Sequence, residues 1–198
     1  MSRLPDYNRA TNAAYEVLIK LSIFSICTDV FAIVGQLIDN CRLLTYGQAC
    51  FLYGFSPEQL LENSEFGFSI LSRTGKRIIL YNETLLLGCI RFTIAHEIGH
   101  AILGHSNEND PSSEKEANCF ARNLLCPLPV AKILGASTIN DYTELFNVTS
   151  SMAETTLLWR KSDNYYINPE LSAIMGDMLD AYNRGFNSID EYLYYLAS

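Results

Sequence analysis

The stretch Arg91 to His105, RFTIAHEIGHAILGH, sets His96-Glu97-x-x-His100 in an apolar run that stays compatible with a helix up to Gly104. On a helix of 3.6 residues per turn, positions four apart lie one above the other. His96 and His100 therefore point the same way, a geometry that suits two imidazoles on one metal ion. Glu97 is rotated by about 100° from His96, so its carboxylate can reach a metal-bound water without ligating the metal itself. Pairs of histidines four apart also arise by chance on helices, as exposed or satisfied core residues. Here the Glu at the second position, the apolar flanks Phe92, Ile94, Ala95, Ile98, Ala101, Ile102 and Leu103, and a third donor downstream point to a metal site.

A catalytic zinc site has three protein donors and one open position. Residues 104–110, GHSNEND, read as a loop, and Pro111-Ser112-Ser113 opens a helix, EKEANCFARNLLC, that stops at Pro127. The candidates for third ligand are Glu114, Glu116 and His105. Glu114 is favoured because Asn118 follows four residues later on the same face, where its amide can hydrogen-bond a ligating histidine and hold the ring. Glu116 has another role available, since Ser113-x-x-Glu116 reads as a capping box. It also points about 200° away from Glu114 on the helical wheel, and it remains the alternative ligand. His105 does not fit the pattern H-E-x-x-H-x-x-G-x-x-H, which would need Gly and His at positions 103 and 106, where Leu103 and Ser106 stand. His105 is expected beside the ligands or on the surface.

With 198 residues, 48% hydrophobic and 18% charged, the chain can bury a core of its own. The expected division is a zinc metallopeptidase-like domain over 1–165 and a helical tail over 166–198. A net charge of -8 and the absence of Lys/Arg clusters argue against binding to a phosphate backbone. Six cysteines without a C-x-x-C pair are expected to be reduced thiols. The opening MSRLPDYNRATN lacks signal-peptide architecture, and Lys20, Asp29 and Gln36 interrupt the apolar stretch 17–38, so a cytoplasmic location and no membrane span are expected.

Along the chain, Ala10, Ala14, Val17, Leu18 and Leu21 give residues 7–23 one buried helical face. Thr28 or Asp29 can cap a second helix to about Asp39, with Val30, Phe31, Val34, Leu37 and Ile38 inward. Cys41 to Tyr46 reads as a short strand, and Ser56-Pro57-Glu58 starts a short helix ending near Asn63. Phe66 to Leu71 and Arg77 to Tyr81 form a hairpin across Ser72-Arg73-Thr74-Gly75-Lys76. If the edge of the second strand is open, it can pair with an extended peptide; a neighbouring strand would close it. Residues 141–160 read as helix, turn, helix with Asn147-Val148-Thr149 as the turn. The second helix offers Ser151, Met152, Ala153 and Glu154 where a DNA reader needs cations or amides, which favours a packing role. Leu171, Ile174, Met175, Met178 and Leu179 space a tail helix, followed by a shorter one capped by Ser188 or Asp190.

RFTIAHEIGHAILGH followed by SEKEANCFARNLLCP resembles the ImmA/IrrE family of zinc-dependent metallopeptidases, with its HE-x-G-H helix and its E-x-x-A-N-x-F-A-x-x-L-L-x-P helix. The strand ending in Asn82 resembles that family too, and the likeness extends over about residues 8–160. Mapped onto this chain, the resemblance implies Zn2+ on His96, His100 and Glu114 with Glu97 as general base. It further implies cleavage of a regulatory protein, typically a helix-turn-helix repressor encoded nearby; the charge balance separately leads to the expectation of no direct nucleic-acid partner.

The expected fold is α+β: a small mixed or antiparallel sheet packed on helices, a zincin-like peptidase core around the HExxH helix, a helix-turn-helix-like element and a helical C-terminal tail. Two rival functions stand beside the endopeptidase. One is a non-catalytic peptidase-like protein that binds a repressor or belongs to a toxin-antitoxin pair; the other is a DNA-binding regulator acting through residues 141–160.

Overall fold

A computed structural model of the chain describes residues 3–21, 25–37, 41–72, 75–105, 110–186 and 189–198. Eleven helices and three strands lie within these residues. The expected hairpin positions Arg73 and Thr74, loop residues 106–109, the end of the second helix from Ile38 to Asn40, and the cap candidate Ser188 with the side chain of Asp190 fall outside them.

The metal motif lies on α5 (Leu87–Ile102), which begins one turn earlier than Arg91 and gives way to Gly104 at φ 66°. Gly supplies that left-handed turn without a Cβ penalty. Against α5 packs α6 (Pro111–Leu125), the most extensively paired helix neighbour. Asp110 caps α6 by accepting from Ser113 N, with Pro111 in the first turn. The expected Ser113-Glu116 capping box is therefore not formed: proline at the first helical position sets the cap one residue before itself, and Glu116 turns inward. α1 (Tyr7–Lys20) lies along α6, burying Ala10, Thr11, Ala14, Tyr15, Val17 and Leu18.

The sheet is mixed, in the order β1 (Cys41–Thr45), β3 (Arg77–Tyr81), β2 (Gly67–Leu71). β1 pairs parallel with β3, and β2 antiparallel with it. The strand leading into the metal helix is thus central and closed on both sides, contrary to the possibility of an open edge; the outer edges belong to β1 and β2. One sheet face meets the main core, where Ile79 joins Ile90, Ile94 and Ile98. The other, through Ile78 and Leu80, packs on Tyr46, Ala49 and Leu60. Those residues come from α3 (Tyr46–Tyr53) and α4 (Pro57–Asn63).

α3 is a helix that apolar periodicity did not announce. Thr45 and Gln48 form a reciprocal capping box at its start, and Gly54 ends it at φ 73°. Asp29 caps α2 (Val30–Leu37) through Phe31 N and Ala32 N. Ile33, not Phe31, completes the buried face of α2 with Val30 and Val34; Phe31 is 40% exposed.

Beyond Pro127 a short α7 (Leu128–Ile133) leads to α8 (Ile139–Phe146) and α9 (Ser150–Tyr166), separated by Asn147 at φ 50° and Thr149 as N-cap. Buried Arg91 donates to the carbonyls of Phe146, Asn147 and Thr28, tying the end of α8 to α5. Arg122 and Asp163 form a buried bidentate pair joining α6 to α9, at 2.7 and 2.8 Å. α10 (Pro169–Asn183) adds Met175, Met178 and Leu179 to the core, and α11 (Ile189–Ala197) follows. All six cysteines are free thiols. Among the described residues, no helix is long and apolar enough to cross a membrane.

Candidate metal centre

The close approach of α5 and α6 builds the site. Gly99, inside the HExxH turn, faces Ala117 of α6, and this glycine-on-alanine contact lets the two helices bring their polar residues together. His96 and His100 converge from α5, with Nε2 to Nε2 at 3.0 Å. Glu114, in the first turn of α6, places Oε2 at 3.4 Å from His96 Nε2 and Oε1 at 3.2 Å from His100 Nε2. His96, His100 and Glu114 form a group that could hold a metal ion.

The distances fit that purpose. A tetrahedral centre with bonds of about 2.0–2.1 Å needs donor atoms roughly 3.3 Å apart. The Nε2–Nε2 separation of 3.0 Å and the approach of one Glu114 oxygen to each ring, at 3.2 and 3.4 Å, bracket that spacing. Two Nε2 atoms facing each other at hydrogen-bond distance also suit lone pairs directed at a shared cation.

The outer nitrogens of both rings are engaged. His96 Nδ1 lies 3.0 Å from Asn118 Oδ1. An Nδ1–H donated to that oxygen leaves Nε2 bare for a metal. His100 Nδ1 lies 3.1 Å from His105 Nδ1, and His105 Nε2 lies 2.9 Å from Glu116 Oε2. Glu116 is fully buried and also accepts from Asp6 N and Arg3. Of the two acidic candidates, then, Glu114 stands at the imidazoles and Glu116 stands behind them. Sequence reasoning missed the His105–Glu116 pair because each residue had a plausible local explanation; the only signal was their joint proximity to the motif.

Charge distribution differentiates the two histidines. Burial opposes charge on His96, but the hydrogen bond to Glu114 and the negative field of Glu97 outweigh it and raise its pKa above the ordinary 6.5. His100 goes the other way, to about 4, through burial first and then the neighbouring His96. Hydrogen bonding to His96 leads the effects that hold the Glu114 carboxyl below its usual range. Glu97 is buried beside this group, 6% exposed, and its charge is felt by Tyr46 as well as His96. The Tyr46 hydroxyl is committed to the Ser64 carbonyl at 2.8 Å. Arg77, on the sheet face that meets α5, donates to Ser69 Oγ at 2.7 Å and adds positive potential at His100.

In comparisons with known proteins, a family model described as the IrrE N-terminal-like domain, of peptidase family M78, matches residues 58–158, just over half of the chain. The match spans α4 to the middle of α9 and includes both metal-site helices. No curated protein matches the chain.

Proposed function

The chain belongs to peptidase family M78, that of the IrrE N-terminal-like domain, and from that premise we propose that it is a zinc-dependent endopeptidase whose substrate is a regulatory protein, a helix-turn-helix repressor. The observation that carries the catalytic reading is the convergence of His96, His100 and the Glu114 carboxylate, whose donor spacings suit a zinc ion that would keep its fourth position for water. Zinc bound there would polarise the scissile carbonyl and lower the pKa of water towards neutrality. Glu97 takes the proton of the attacking water and passes it to the leaving amine, with no acyl-enzyme formed. Asn118 holds the His96 ring through Nδ1, which would leave Nε2 for the cation. The substrate class is taken from the family resemblance, and the proposed cytoplasmic setting from the reduced cysteines.

The substrate backbone would lie extended along the outer edge of β2, the edge strand packed against α5. Main-chain hydrogen bonds there would hold the peptide in register with little demand on its side chains. Ile70 and Leu71, 36% and 68% exposed, offer apolar surface at the end of that edge.

The test is incubation of the protein with the helix-turn-helix repressor encoded beside it, with and without chelator, followed by mass spectrometry. A single zinc-dependent cleavage is the expected result. Tight binding without cleavage by the zinc-loaded protein would favour the non-catalytic binding role instead.

A further inference from the structure

We propose that His105 and Glu116 are positioning residues that fix the tautomer of His100 and connect the metal centre to residues 3–6, so that docking of that segment and metal binding reinforce one another. The inference rests on the metallopeptidase reading above and concerns residues that lie behind His96, His100 and Glu114.

The hydrogen bonds have one consistent polarity. A metal on His100 Nε2 requires the proton on Nδ1, and the atom 3.1 Å from that Nδ1 is His105 Nδ1. His105 must then accept at Nδ1 and carry its own proton on Nε2, which points at Glu116 Oε2 at 2.9 Å. The Glu116 carboxylate ends the chain and keeps it in this order, because an ionised carboxylate only accepts. His100, His105 and Glu116 are all buried, at 0%, 6% and 0% exposure, so water does not substitute for these partners at low cost.

Glu116 is in turn held by the segment preceding α1. Its Oε1 accepts from Asp6 N at 2.6 Å, and its Oε2 accepts from Arg3 at 2.9 Å. The Ser112 hydroxyl donates to the Arg3 carbonyl, and Arg9 donates to the Leu103 carbonyl at the end of α5. Residues 3–9 are thereby fastened to both metal-site helices. This segment lies outside the stretch matched by the family model.

A physical consequence follows for each member. Glutamine at position 116 presents one oxygen where two are needed, so it can serve either Asp6 N or the His105 and Arg3 donors. Phenylalanine at 105 leaves His100 Nδ1–H without its acceptor. Arg3, with a half-exposed side chain, can be removed without opening the core.

The experiment measures zinc affinity of the full chain by competition with a chromophoric chelator, alongside metal-free melting temperature and amide exchange at Asp6 with and without zinc. Glu116→Gln and His105→Phe are expected to weaken zinc binding roughly 10- to 100-fold. Arg3→Ala should weaken it by about 2- to 5-fold, the scale of a partly exposed ion pair. Zinc should slow exchange of the Asp6 amide in the unaltered protein, since coupling between two sites is reciprocal. Folded Glu116→Gln or His105→Phe with unchanged zinc affinity would overturn the proposal. If both fail to fold, an Asp6 amide indifferent to zinc, with unaltered affinity in Arg3→Ala, overturns it equally. Failure of the unaltered protein to bind zinc would instead remove the metallopeptidase reading and this inference together.

Discussion

Gly99 on α5 and Ala117 on α6 stand so close that a methyl added at Gly99 would meet the Ala117 Cα and carbonyl oxygen at 3.3 Å, with Phe120 Cδ1 at 3.0 Å. Two of those contacts are backbone, which cannot turn aside as a long side chain can. Gly99→Ala would gain about 1 kcal/mol of helix propensity, but overpacking a tight contact costs about 1–3 kcal/mol. The expected net result is a lower melting temperature and, because α6 carries Glu114, weaker zinc binding. A variant with undiminished stability and metal affinity would show that the helix contact does not set the ligand geometry.

Metal uptake should depend on pH through His96 rather than His100. Ligating imidazoles must be unprotonated. His100, at about 4, is already neutral at pH 6, whereas His96, raised above 6.5, holds its proton there. Zinc binding at pH 6 should release close to one proton from the histidine pair, and affinity should fall about tenfold per pH unit below the His96 pKa. Calorimetry in buffers of differing ionisation enthalpy counts the protons. Release of two, or affinity flat from pH 7 to 5, would contradict this assignment.

The edge of β2 gives a third expectation. Ser72 N bonds to Lys76 O and Asn82 N to Phe66 O; with antiparallel bonding alternating along the strand, the amide of Leu71 faces away from β3. Leu71→Pro removes that outward donor without touching the ladder. Melting temperature should be unchanged, while kcat/KM for the protein substrate falls roughly tenfold, the loss of one hydrogen bond. Unchanged cleavage kinetics would move the substrate path off this edge.

How much of this was legible in the sequence follows the range of the interactions. The α5 helix and its His96, Glu97 and His100 face were readable because their signal is local and periodic. The α6 start is readable from Pro111, yet Ser113-x-x-Glu116 imitates a capping box where Asp110 is the cap. The sheet order was not legible: β1 pairs with β3 across two helices and a strand, and nothing local encodes that partner. The α3 helix buries only Tyr46 and Ala49, so it lacks an apolar stripe; Thr45, Gln48 and Gly54 carried its one available signature. The Glu116–Asp6 and Glu116–Arg3 contacts join residues more than a hundred positions apart, with |i−j| of 110 and 113, beyond the reach of spacing arguments.

Glu97→Gln tests the central claim most directly. Glutamine keeps the shape of the side chain and leaves His96, His100 and Glu114 in place, but it cannot take a proton from water. Zinc content and substrate cleavage should be measured on the same preparation: the account predicts one bound zinc, as in the unaltered protein, with cleavage reduced by about 10²- to 10⁴-fold. Full cleavage by the zinc-loaded variant would contradict it.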